Sequence, residues 1–67
     1  MEYSNSRIRE IIGEYIHDEK HRCLMCRRLI DNITIDRLSE EFDLSVSQVK
    51  RIIWKDSEII FRHLEKD

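Results

Sequence analysis

The sequence predicts an all-α fold, a compact bundle of about four helices, because three features of the chain favour helices over sheets. Its 67 residues include one glycine and no proline, so few positions interrupt a helix. Hydrophobic residues make up 40% and charged residues 39%, which suits a small packed core with a polar surface. Apolar residues also recur at helical spacings of three and four. A chain this short can form one core only, so we expect a single domain spanning residues 1–67.

The first predicted helix lies within residues 1–17. The segment Ser4-Asn5-Ser6 can cap it, because serine and asparagine side chains accept a hydrogen bond from the first free amides of a helix. The apolar residues that follow form one stripe: Ile8, Ile11, Ile12, Tyr15 and Ile16. We expect this stripe to pack against the rest of the bundle.

The second predicted helix lies within residues 18–33, and Asp18 is its expected N-cap. Three residues at helical spacing are expected to face the core: Cys23, Cys26 and Ile30. Leu24 and Met25 widen this apolar surface. The pattern ends at residues 31–32.

Residues 34–54 are predicted to hold two helices joined by a three-residue turn. Thr34 can cap the first of these helices. Asp43 follows it, and a break there is favoured because aspartate tolerates a left-handed backbone better than most residues. Ser45 then caps the last helix, a single helix of about 20 residues that continues through an extension at residues 55–67. A bend or break at Asp56-Ser57 is the alternative, because both residues compete for backbone hydrogen bonds.

The residue types around this turn form a helix-turn-helix pattern. Five apolar positions would point inward from the two helices and the turn: Leu38, Phe42, Leu44, Val49 and Ile52. Ser39 is small where the two helices would cross, and Asp43 suits the turn. Because particular residue types are needed at so many positions, chance agreement is uncommon, and the pattern predicts a helix-turn-helix with a long C-terminal recognition helix.

Residues 29–53, with the sequence LIDNITIDRLSEEFDLSVSQVKRII, resemble the helix-turn-helix of region four of bacterial sigma factors and of related small transcriptional regulators. In that family a hydrophobic, acidic, glycine, apolar, threonine run leads into the first helix, and serine or threonine opens the second. Here Asn32 and Asp43 stand where the family has glycine, and both tolerate positive φ. The resemblance covers about residues 18–64 and implies a bacterial DNA-binding protein that regulates transcription.

In that family the second helix of the motif enters the major groove, so we expect contacts with double-stranded DNA from this part of the chain. The expected DNA-binding residues are Thr34, Ser45, Val46, Ser47, Gln48, Lys50, Arg51, Lys55 and Arg28. Their chemistry agrees with most of these roles. A glutamine amide can read adenine, an arginine can reach guanine or phosphate, and a valine can touch a thymine methyl. Thr34 lies at a helix start, where free amides attract a phosphate.

The distribution of charge fits DNA binding better than the net charge does. Twelve Lys and Arg against fourteen Asp and Glu give a net charge of −2, which alone argues against a nonspecific polyanion binder. Between Ser45 and Lys55, however, three cations occur without an acid. The segment from Lys20 to Arg28 is a second basic window of this kind. A solvated helix face is the alternative interpretation of both windows.

A helical protein-interaction module, binding RNA polymerase or another regulatory protein through its last helix, is the alternative function. Trp54 and Phe61 lie seven residues apart on that helix, away from its core stripe. Either the first helix folds back and covers these two aromatic residues, or they form a homodimer interface.

Four potential zinc ligands occur within ten residues: His17, His21, Cys23 and Cys26. On a continuous helix, however, Cys26 would lie about 140° around from His21. Core cysteines are therefore the preferred interpretation, with metal binding and redox chemistry as the alternatives. We expect no metal or other cofactor.

Two further classes of protein are disfavoured. No nucleophile, base and acid grouping and no glycine-rich phosphate loop occurs, so an enzyme is not expected. The chain opens with no signal-peptide pattern and has no apolar run of about 20 residues, so no membrane association is expected. Two cysteines fall short of a disulfide scaffold and favour a reducing compartment, which predicts a cytoplasmic location.

Overall fold

The computed structural model describes residues 4–65. They form four α-helices: α1 (Asn5–Tyr15), α2 (Glu19–Leu29), α3 (Ile35–Phe42) and α4 (Val46–Glu65). No strand occurs in residues 4–65, so the predicted all-α fold of about four helices is confirmed, and the predicted long last helix is α4, with 20 residues. None of these four helices is both long and apolar enough to cross a membrane. Residues 1–3 and 66–67, the ends of the predicted first and last segments, lie outside the described residues.

Three helices begin at side chains whose capping role the sequence predicts. Ser4, Asp18 and Thr34 are the N-caps of α1, α2 and α3. The Asp18 carboxylate accepts hydrogen bonds from the amides of Lys20 at 2.8 Å and His21 at 3.2 Å. The bond from the His21 amide contributes most to lowering the pKa of Asp18. These local hydrogen bonds satisfy amides that the helix itself leaves free.

α2 and α4 each contact the other three helices of the bundle, and α4 is the longest of the four. The largest fully buried side chains come from all four helices: Ile11, Ile12, Leu24, Met25, Leu38, Val49 and Ile60. Phe42, Leu44 and Ile52, which were predicted to point inward, are partly buried and pack against this core. Each fully buried aliphatic side chain contributes about 1.5–3 kcal/mol, so the apolar stripe of α4 determines which face of that helix turns inward.

The buried face of α2 differs from the predicted one. Leu24 and Met25 are fully buried, whereas Cys23 is exposed and Cys26 is only partly buried. The larger side chains of Leu24 and Met25 remove more apolar area from water than two cysteines would, so this pair faces inward. The prediction of two core cysteines is therefore wrong for Cys23 and only partly right for Cys26. His21, one turn before Met25, shares its side of α2.

A carboxylate lies inside the bundle where α2 meets α4. Asp56 is 6% exposed, and its Oδ2 atom lies 3.5 Å from Nδ1 of His21. That oxygen accepts no hydrogen bond from the part of the chain that the structure describes. Burial raises the pKa of Asp56, and the nearby His21 and Lys55 oppose this shift. An ionised Asp56 therefore costs stability unless His21 is protonated beside it.

The C-terminal end of α4 is covered by α1. The rings of Tyr15 and His63 stack with their centroids 3.6 Å apart and their planes 8° from parallel. Tyr15 is 40% exposed, so it lies over His63 at the edge of the bundle rather than in the core with the other members of its predicted stripe. Stacking of two rings in this way adds a specific contact to the area that they bury.

The variant Asp56→Asn tests the buried carboxylate. Burial raises the pKa of Asp56 in the folded protein. The folded protein therefore keeps a proton on Asp56 over a pH range in which the unfolded chain has lost it. The free energy of unfolding of the wild type should therefore fall relative to that of Asp56→Asn as pH rises from about 3.9 through the folded-state pKa. Urea denaturation at a series of pH values measures this difference. Parallel curves for the two proteins would contradict it.

Candidate nucleic-acid interface

The turn between α3 and α4 contains a residue in the left-handed conformation. Asp43 has φ 55° and ψ 46°, and its amide donates to the carbonyl of Ser39. The amide of Leu44 donates to the same carbonyl at 3.0 Å, which is the six-to-one bond of a Schellman motif. Glycine usually occupies this left-handed position, and the predicted left-handed break at Asp43 is confirmed. Three residues separate α3 from α4, as predicted.

α4 begins with a reciprocal pair of hydrogen bonds. The amide of Gln48 donates to Oγ of Ser45 at 3.1 Å, and the amide of Ser45 donates to Oε1 of Gln48 at 2.9 Å. This is a capping box, in which two free amides at the helix start are satisfied at once. The sequence predicted Ser45 as the cap but gave Gln48 a role in reading adenine. Its Oε1 is already an acceptor within the helix start, which leaves the amide nitrogen for an outside partner.

Seven of the residues predicted to bind DNA lie on the exposed surface at the start of α4 and along its first half: Ser45, Val46, Ser47, Gln48, Lys50, Arg51 and Lys55. Three of them are cations, and none of the three forms an ion pair with another residue in the range 4–65. Val46, an apolar residue, is 36% exposed. The surface therefore combines unpaired positive charge, hydroxyl groups and one exposed apolar side chain within about three helical turns.

The other two predicted DNA-binding residues lie at the connection between α2 and α3. Thr34 is exposed, and its hydroxyl accepts from the amide at the start of α3. The Arg28 guanidinium is partly buried and donates through Nη1 to the carbonyl of Ile33 at 3.0 Å. Asn32, with φ 57°, adopts the left-handed conformation expected of a glycine substitute. Arg28 thus stabilises this connection, and its charge is less available than that of the α4 cations.

An ion pair joins α2 to α3 beside this surface. The Arg27 guanidinium donates two hydrogen bonds to the Glu41 carboxylate, from Nη2 to Oε1 at 2.5 Å and from Nε to Oε2 at 3.1 Å. The hydrogen bond from Arg27 lowers the pKa of Glu41. Arg27 also lies 3.6 Å from Asp31. Two of the four cations in the basic window of α2, Arg27 and Arg28, are therefore engaged by the fold itself.

The two aromatic residues singled out on α4 remain uncovered. Trp54 is 78% exposed and Phe61 is 42% exposed. The prediction that α1 would fold back over them is therefore wrong for Trp54 and at best partial for Phe61. α1 instead stacks Tyr15 on His63, which lies in the last turn of α4 on a different side of that helix from Phe61.

The structure does not gather the candidate zinc ligands His17, His21, Cys23 and Cys26 into a group of three or more within residues 4–65. No group of three or more His, Cys, Asp or Glu side chains within the described range is arranged to hold a metal ion. Both cysteines are free thiols, and burial raises the pKa of Cys26. His21 instead faces Asp56.

Sequence reasoning missed one cation beside the candidate surface. Arg37 is exposed in the first turn of α3, and its amide donates to Oγ1 of Thr34 at 3.3 Å. Its guanidinium forms no ion pair among residues 4–65. The position three residues after a helix cap is exposed to anions approaching the free amides, which is the signal that could have identified it.

Comparisons with known proteins give this chain no relative. No protein-family model matches it, and no curated protein and no solved structure does so either. A function for this surface therefore has to be inferred from its own residues.

The turn can be tested with Asp43→Gly. A left-handed backbone strains every residue except glycine, and the Asp43 side chain makes no hydrogen bond among residues 4–65 that would be lost. We expect this variant to be more stable by about 0.5–1 kcal/mol, read as a rise of a few degrees in Tm. Glu40→Gly, at an exposed helical position, is the control and should cost about 1 kcal/mol. A fall in Tm for Asp43→Gly would contradict the assigned strain.

The capping box can be tested by two substitutions of Gln48. Gln48→Ala removes one of the two reciprocal bonds and should lower the free energy of unfolding by about 0.5–1 kcal/mol. Gln48→Glu keeps an acceptor of the same reach and should be close to the wild type. Ser47→Ala, on the adjacent exposed position, is the control without a capping bond. Equal stability of Gln48→Ala and Gln48→Glu in thermal unfolding would argue against the box.

Proposed function

We propose that this protein binds double-stranded DNA in a sequence-specific manner, as a bacterial transcriptional regulator or a module like sigma-factor region four. In this proposal α3 and α4 are the helix-turn-helix, and the first half of α4 enters the major groove. The observation that carries the proposal is the presence of three exposed cations, Lys50, Arg51 and Lys55, without an ion-pair partner in residues 4–65. Exposed positive charge with no internal partner suits contact with phosphates.

The geometry of the turn supports the same proposal. A short connection between α3 and α4, with a left-handed residue and a partly buried Leu44, is compatible with the turn of a helix-turn-helix. The buried stripe of α4, with Val49 at its start, directs the opposite face outward. A recognition helix needs this arrangement, because its exposed side chains must reach base edges from a rigid support.

The exposed side chains offer distinct contacts in the groove. Arg51 can bind guanine through two hydrogen bonds, and Val46 can contact a thymine methyl. Ser47 can bond to a base or to a phosphate, while Lys50 and Lys55 supply phosphate charge. The Gln48 amide nitrogen can donate to a base acceptor, although the two-bond contact with adenine would require release of the capping bond to Ser45.

The acidic balance of the chain limits how DNA can approach. Because the net charge is −2, the protein can gain affinity for DNA only through a surface that acidic side chains do not share. Arg27 neutralises Glu41 of α3. Between Val46 and Lys55 no acid occurs. Approach along the first half of α4 therefore gives the most favourable electrostatic contact.

The exposed aromatic residues favour a second candidate, a helical protein-interaction module that binds RNA polymerase or another regulatory protein. Trp54, at 78% exposure, is a costly residue to leave in water, and such residues often supply much of the binding energy at protein interfaces. Association with a protein partner that survives loss of Lys50 and Arg51 would favour this candidate. Duplex binding that depends on salt and on those two cations would favour the first.

The salt dependence of duplex binding tests DNA binding directly. Binding of a labelled random duplex, followed by fluorescence anisotropy, should weaken steeply with salt, with a slope of about −0.9 per phosphate neutralised. Lys50→Ala and Lys55→Ala should each reduce that slope by about 1. Arg62→Ala is the matched control, since Arg62 is an exposed cation on the same helix that already contacts Glu58 at 3.5 Å.

Selection from a random duplex library tests sequence specificity. The wild type should enrich a sequence, and Arg51→Ala should lose preference at one base position at a cost of about 1–3 kcal/mol. Absence of any duplex binding at low salt would refute the proposed function. Binding without enrichment would refute sequence specificity only.

A further inference from the structure

Between positions 50 and 65, four exposed residues form a narrow stripe along the outer side of α4, and the proposed DNA contact uses only one of these four. They are Lys50, Trp54, Phe61 and Glu65. At about 100° per residue they fall within about 60° of the helix circumference, so they share one face. Lys50 and Glu65 form no ion pair with residues of the described range. The stripe, which we term the outer stripe, therefore presents two unsatisfied charges and two exposed aromatic rings.

The order and spacing of the outer stripe are symmetric. Trp54 follows the cation Lys50 by four residues, and Phe61 follows Trp54 by seven. The anion Glu65 follows Phe61 by four residues. Reversing the direction of the helix gives the same spacings, with the cation and anion exchanged. A second copy of α4, laid antiparallel on the first, would thus set each Lys50 opposite a Glu65 and each Trp54 opposite a Phe61.

We propose that the outer stripe is the interface of a two-fold symmetric homodimer, in which the α4 helices of two copies pack antiparallel. Two Lys50–Glu65 ion pairs close the ends of the interface, and two Trp54–Phe61 contacts fill its centre. A two-fold axis requires the same patch on both copies to be complementary to itself, and this stripe meets that condition in the order of its charges and the spacing of its rings.

Charge complementarity favours a second copy over a different protein as the occupant of this face. The cation and the anion lie at equal distances from the midpoint between the two rings. A second copy matches this arrangement automatically, whereas an unrelated protein would need an anion and a cation at the same two distances. The stripe spans about 22 Å of one helix, so the contact lies below the usual interface size and should dissociate in the micromolar range or above. The aromatic rings supply most of the apolar area, and the ion pairs determine the antiparallel orientation.

Charge reversal at the two ends tests the pairing. Sedimentation velocity from about 10 μM to about 1 mM at low salt, without DNA, should show a monomer–dimer equilibrium for the wild type. Lys50→Glu and Glu65→Lys should each weaken dimerisation by about tenfold, because each places like charges opposite one another twice. The double variant Lys50→Glu, Glu65→Lys should restore it. Lys55→Glu, the same change on α4 outside the outer stripe, is the control.

The tryptophan, present once in the chain, gives an independent measurement. Trp54 fluorescence should shift to shorter wavelength as the protein concentration rises, and Trp54→Ser should sediment as a monomer with unchanged helical circular dichroism. A wild type that stays monomeric to about 1 mM would overturn the proposal. It would equally be overturned by a dimer that both single reversals leave intact, or by a double reversal that fails to restore association. These experiments contain no DNA, so their outcome is separate from that of the duplex-binding tests.

Discussion

The orientation of α4 about its own axis is the constraint on which the other features of this molecule depend. α4 contacts α1, α2 and α3, and its apolar stripe includes Val49 and Ile60, both fully buried. Rotating the helix would expose several such side chains at about 1.5–3 kcal/mol each, a large sum for a domain of this size. The outward face is therefore determined by the inward one. Lys50, Arg51 and Trp54 are exposed because the core requires the opposite side of the helix.

The fold also separates cations that stabilise it from cations that remain available. Arg27 and Arg28, on α2, bind Glu41 and the Ile33 carbonyl and so hold α2 and α3 together. An exposed ion pair contributes little to stability, commonly less than about 1 kcal/mol, so its main effect here is on geometry and on local charge. On α4 the corresponding cations have no such partner among the described residues. Two of the four cations in the α2 window are therefore engaged by the fold, whereas none of the three in the α4 window is engaged by residues 4–65.

Features set by neighbouring residues were predictable from the sequence, and features set by distant contacts were not. The N-caps and the left-handed residues, such as Ser45 and Asp43, follow from local hydrogen bonding and backbone preference, and the helix bounds follow from them. The inward face of α2 was missed because the spacing of its apolar residues fits more than one rotation of the helix about its axis. Only packing against the other helices selects one of these rotations. The burial of Asp56 depends on its contact with His21, 35 positions earlier in the chain, which no local pattern reveals. The exposure of Lys50 and Arg51 agreed with expectation, whereas the DNA contact itself remains a prediction.

Lys50 belongs both to the proposed DNA surface and to the outer stripe, so the two proposals are coupled. A Lys50 paired with Glu65 of a second copy cannot at the same time contact a phosphate, and the partner helix would occupy space that the duplex needs. Dimer and DNA complex would then exclude each other, and the duplex would bind the monomer only. By mass action the apparent affinity for DNA falls in proportion to the fraction of monomer, so self-association would limit DNA binding as the protein accumulates. With this property, the occupancy of DNA would rise less steeply with total protein concentration than it would for a protein that stays monomeric.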